Sequence, residues 1–75
     1  MMISPEGYAE MFKDKSVEEC IKERDEIYEE IKRYENNEIS DEERFIMPSP
    51  KTRYVVYLLY LSEISKLIYS KATEE

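Results

Sequence analysis

The stretch YVVYLLYL, Tyr54–Leu61, sets eight apolar or aromatic residues in a row within a 75-residue chain of which 39% is charged. Its reading as strand, membrane segment or helix decides the fold. Val and Tyr favour strands locally, yet no alternation of polar and apolar residues is present, and the apolar series continues as Ile64, Leu67 and Ile68 at helical spacing. Ser62 and Glu63 close the run far short of the ~20 apolar residues that a membrane span needs. Upstream, Ser49-Pro50 supplies a side-chain cap followed by a proline in the first helical position, where its missing N–H costs nothing. The stretch therefore predicts a helix from Pro50 to about Ser70.

Working outward, the same punctuation marks two more helices. Ser4-Pro5 opens a short one, expected over residues 5–13, with Tyr8, Met11 and Phe12 on one side. Ser16-Val17-Glu18-Glu19 is a capping box that opens a helix over 17–35, and Asn36-Asn37 offers a left-handed stop. The connection 36–49 contains a second capping-box pattern, Ser40 to Glu43, and so a short helical turn is expected within 41–46. One Gly and three Pro in the whole chain agree with an all-α domain spanning 1–75.

The two long helices differ in the width of their apolar faces. In the second, Val17, Cys20, Ile21, Ile27, Tyr28, Ile31 and Tyr34 fall within about 140°, which suits one principal neighbour. In the third, the series from Val56 round to Leu58 covers about 200°, which implies two or three neighbours. The expected architecture is a short N-terminal helix plus a long antiparallel hairpin, dimerising into a four-helix-type bundle. A chain this small rarely gains more than ~3–5 kcal/mol from its own core, so a staple is expected. With one Cys and no His, neither an intrachain disulfide nor a structural zinc site is available. Oligomerisation remains. The expected self-association surface comprises Tyr54, Tyr57, Leu58, Leu61, Ile64 and Ile68. Val55 and Leu59, one turn apart among the polar residues, form a separate candidate patch for a protein partner. Parallel and antiparallel pairing of the third helices are equally compatible with the pattern, as is a swap of the first helix between protomers.

Charge narrows the function classes. The net charge is −7, with fifteen Asp/Glu against seven Lys/Arg in residues 1–45 and three against four in residues 46–75. That is the reverse of the basic stripe by which nucleic-acid binders displace counterions from phosphates. Direct nucleic-acid binding is not expected, and neither is a membrane partner. The N-terminal residues lack the basic and apolar regions of a signal peptide, and a lone cysteine fits a reducing compartment, so a cytoplasmic location is expected.

Few constellations point to chemistry. Tyr54, Tyr57 and Tyr60 recur every third residue, a spacing that drifts around a helix and forms no flat stacking ladder; interface packing is the reading that fits. Glu19, Glu23, Glu26 and Glu30 form a row beside Glu29, but di-metal bundles also use histidines and inward-facing carboxylates from several helices, whereas the third helix offers only Glu63. Arg24 lies inside the second helix's apolar stripe and reads as a register-fixing ion pair, with Glu63 or a tyrosine hydroxyl as expected partners. Cys20 has no His to act as its base and reads as a small buried hydrophobe. No catalytic residues, cofactor or metal ligands are expected. The leading functional expectation is a small helical interaction or adaptor protein that self-associates through its third helix. Two alternatives stand beside it: an acidic decoy that neutralises a basic, nucleic-acid-binding partner, and a minimal carboxylate-based bundle enzyme.

Overall fold

The computed structural model describes residues 3–74 and is helical throughout its regular structure. The termini of the expected 1–75 domain lie outside those residues. Three α-helices, α1 (Pro5–Met11), α2 (Val17–Glu35) and α3 (Pro50–Thr73), are joined by a tight turn and by a longer connection that holds one 3-10 turn, Glu43–Phe45. Relative to the expected bounds, α1 is two residues shorter, and α3 runs three residues past Ser70.

Each helix starts where a serine can cap it. Ser4, Ser16 and Ser49 adopt extended backbone, and their hydroxyls accept from the N–H groups of Gly7, Glu19 and Thr52, donors that would otherwise lack a partner. The end of α2 is equally local in origin. Asn37 takes a left-handed φ of 58°, its N–H donates to the Tyr34 carbonyl, and the Glu38 N–H donates to the Arg33 carbonyl. This paired closure satisfies two terminal carbonyls and turns the chain back toward α3.

α2 and α3 run antiparallel, with Tyr34 stacked on Tyr54 at one end (ring centroids 4.4 Å) and Arg24 level with Leu61 nearer the middle. α1 lies against α3 along one flank of this hairpin. Its anchor is Tyr8, whose ring stacks on Tyr60 at 4.1 Å and 3° and whose hydroxyl donates to Glu23 Oε2 at 2.9 Å. The Tyr60 hydroxyl donates to the Ile3 carbonyl, and Lys71 Nζ donates to the Lys13 carbonyl, so α3 holds the N-terminal segment at two levels. Phe12 tilts against Tyr8 at 5.0 Å, whereas Met11, expected on the same side, points to solvent.

The core is small: Tyr8, Cys20, Ile27, Ile31, Tyr60 and Ile64, flanked by partly buried Phe12, Tyr54, Val56, Tyr57, Leu61, Leu67 and Ile68. The Cα envelope measures 45 × 22 × 14 Å. Its radius of gyration of 13.4 Å exceeds the ~11 Å expected of a compact 75-residue domain. The molecule is a slab one helix layer thick, with a third short helix along one flank.

Candidate functional site

The slab leaves only part of the expected self-association surface accessible. Ile64 is fully buried inside the protomer with Cys20, Ile27, Ile31 and Tyr60, and has no surface left for a second chain. Tyr54, Tyr57, Leu61 and Ile68 pack against that same core and keep only part of their surface free. Tyr54 is further engaged by Tyr34 and by a hydrogen bond from its hydroxyl to Glu35 Oε2 at 2.7 Å, which raises its pKa. Of the six residues, Leu58 is the exposed one, at 41%. The physical reason is that α1 and α2 together take up most of the 200° arc, and a helical wheel gives the width of an arc but not the direction from which each neighbour approaches.

What remains uncovered is an apolar strip on α3. Val55 (48% exposed), Leu58 and Leu59 (49%) stand at i, i+3 and i+4, the spacing that makes side chains neighbours on one helix face. The polar residues Ser62 and Lys66 continue the face toward Tyr69, which is also exposed. A second exposed apolar group lies in the loop before α3, where Phe45 (85%), Ile46 and Met47 (83%) project into solvent.

The hairpin also has an open groove on the side away from α1, lined by Arg24, Asp25, Tyr28 and Leu61. Its origin is a rotation of α2. The buried residues Cys20, Ile27 and Ile31 cluster within about 40° of the helix circumference, while Tyr28 and Ile21 lie about 80–100° further round. Glu23, on the opposite edge, faces α1 and meets Tyr8. Ile21 is therefore half-buried outside the core cluster, and Tyr28 is exposed, with the Lys32 ammonium 5.2 Å from its ring centre. Arg24 sits at the rim of the groove and pairs with its sequence neighbour Asp25 at 3.1 Å, not with Glu63 or a tyrosine. Glu63 pairs with Lys66 instead.

The acidic side chains do not converge. Glu19 and Glu26 are exposed, Glu23 is half-buried and held by Tyr8, and among the described residues no three His, Cys, Asp or Glu side chains come together as a metal site. Burial, together with the hydrogen bond to and the charge of Glu23, raises the pKa of Tyr8 well above the usual phenol value; burial, then Tyr57, raises that of Tyr60. Both rings thus remain protonated donors. Cys20 is fully buried, its sulfur 3.7 Å from the Phe12 carbonyl, in a packed position out of reach of solvent.

At the loop end of the hairpin, Arg33 ties α2 to the 3-10 turn through Glu43 at 2.7 Å and also pairs with Glu30; both contacts raise its pKa. Arg53 reaches the Glu43 carbonyl, and its buried Nε lacks a protein partner beside a space of about one water molecule between Tyr34, Ile39 and Tyr57. Sequence reasoning missed this arginine-bridged corner. The only signal for it was two arginines at compatible levels of antiparallel helices.

No helix among the described residues is long and apolar enough to cross a membrane. No protein-family model matches the chain, and neither the curated proteins nor the solved structures contain a significant match.

Proposed function

We propose that this is a small all-α interaction protein that works by docking other polypeptide through the exposed face of α3. One observation carries the reading: Val55, Leu58 and Leu59 form a contiguous apolar strip on a rigid, well-capped helix in an otherwise highly charged chain. Burying such a strip releases about 25 cal/mol per Å² of apolar surface, and a helical scaffold loses little conformational entropy on docking. Self-association through α3 belongs to the same reading, with Leu58 in place of the internal Ile64. The test is a photo-crosslinking residue placed at Leu59, with Lys22 on the outer face of α2 as control. Protein adducts at Leu59 and none at Lys22 support the reading; equal adduct formation, or none at either position, defeats it.

A second reading has a specific observation in its favour. Glu18 and Glu26 on α2 are exposed and take part in none of the ion pairs formed among the described residues, leaving free negative charge on one outer face. An acidic decoy for a basic nucleic-acid-binding protein would use that face, and its capture of such a partner would weaken steeply with salt. Capture that is insensitive to salt counts against it.

A further inference from the structure

We infer that the cleft between the end of α2 and the start of α3 binds a small organic phosphate, a phosphomonoester carried on a flat ring. The inference is independent of the apolar strip on α3 and uses residues that the interaction reading leaves aside. The cleft has a volume of about 420 Å³, within the range of small-molecule sites. Tyr34, Ile39 and Pro50, all half-buried, form its apolar wall; Asn37, Arg44 and Lys51, all exposed, supply its polar donors. No carboxylate lines it, whereas the cavities along α2 have Glu or Asp in their walls.

The cations on these walls are free to meet an anion. Lys51 takes part in none of the ion pairs formed among the described residues. Arg44 Nε lies 3.6 Å from Asp41, too long for a hydrogen bond, and with 53% and 98% of the two side chains exposed the pairing is weak. α3 also begins here. Ser49 caps the Thr52 N–H and its carbonyl accepts from the Arg53 N–H, while the Lys51 N–H, in the first turn, lacks an intrahelical acceptor.

A second observation is independent of that helix end. Arg53 Nε is buried without a hydrogen-bond partner, and the water-sized space beside it shares Tyr34, Ile39 and Pro50 with the cleft. Buried donors are nearly always satisfied, so this one calls for an acceptor. Glu30 and Glu43 border the space too, but both are already held by Arg33. One water in that space joins Arg53 Nε to an oxygen of an anion in the cleft. Phosphate suits the donors better than carboxylate. It offers three oxygens and nearly two charges at pH 7 to the Arg44 guanidinium, the Lys51 ammonium and the Lys51 N–H, which approach from separate directions. The ring rests against Tyr34 and Pro50.

The experiment is an amide NMR titration of the full chain, at fixed ionic strength, with phenyl phosphate, inorganic phosphate and phenol. Phenyl phosphate should give saturable shifts centred on Asn37, Arg44 and Lys51, half-complete at about 1–5 mM for a ligand of so few atoms. Inorganic phosphate should bind several-fold more weakly, and phenol should not reproduce the pattern. Arg44→Gln and Lys51→Gln, both at exposed positions, should each weaken phenyl phosphate about tenfold, with circular dichroism unchanged. Lys22→Gln, on the outer face of α2, should leave the affinity as it is. Shifts that stay linear to about 50 mM phenyl phosphate overturn the inference, since binding that weak needs no built site. So does equal affinity for inorganic phosphate, which removes the ring from the account, or binding undiminished in both cation variants.

Discussion

Replacing Ile64 with valine separates a protomer core from a dimer interface. Ile64 has no exposed surface, and its neighbours Cys20, Ile27, Ile31 and Tyr60 are themselves buried. Ile64→Val deletes one methylene, which removes about 0.8 kcal/mol of transfer free energy and adds a small cavity term, for a total of about 0.5–1.5 kcal/mol. Two helices and a short flank surround the site, so limited collapse is available and about 1 kcal/mol is expected. Against a total stability near 3–5 kcal/mol that is a large fraction, and it lowers the melting temperature by about 4–8 °C. Urea unfolding followed by circular dichroism, at protein concentrations a hundredfold apart, is the assay. The loss should be the same at both concentrations, because the contact lies within one chain. A loss that vanishes on dilution, or one below about 0.3 kcal/mol, would refute the placement of Ile64 in the protomer core.

Two more predictions follow from the tyrosines. Burial and the neighbouring Glu23 raise the pKa of Tyr8 above the ordinary phenol value of 10.0, so its contribution is complete below pH 10 and declines as pH rises toward the folded value. Urea stability should therefore be level up to about pH 9.5 and then fall by up to ~1.4 kcal/mol per pH unit, a slope that Tyr8→Phe should reduce; an unchanged slope in the variant would remove Tyr8 from the account. Tyr60→Phe keeps the stack on Tyr8 but loses the hydrogen bond to the Ile3 carbonyl, at a cost of about 0.5–1.5 kcal/mol. Amide exchange should rise in α1 far more than in α2, and a uniform rise would contradict local tethering.

The caps explain why so much of the fold was readable. Ser4, Ser16 and Ser49 each act through residues within three positions, and the Asn36-Asn37 stop uses carbonyls of the preceding turn, so sequence neighbours alone contain the physics. Helix faces were readable as patterns, because Ile27, Ile31, Tyr60 and Ile64 repeat at helical spacing. The azimuth at which helices meet was not. It depends on which of several apolar edges a neighbour takes, and that choice decided the fate of Ile64 and the exposure of Tyr28. Glu23 belonged to an outward carboxylate row by pattern, yet sits at the edge that α1 covers and becomes the acceptor for Tyr8. Arg24 found its carboxylate one residue away in Asp25, a pairing that a search for cross-helix partners passes over.

The stack of Tyr8 on Tyr60 joins residues 52 positions apart, and Lys71 reaches back to Lys13 across 58. At roughly 5–20 residues per second on a ribosome, Tyr8 waits about 3–10 s after its own synthesis before its stacking partner exists. In that interval α1 has only seven residues, too few to hold a helix unaided. The nascent chain thus carries Tyr8 and Phe12 uncovered until α3 has emerged. The N-terminal flank closes on its stacking partner only after α3 has been made.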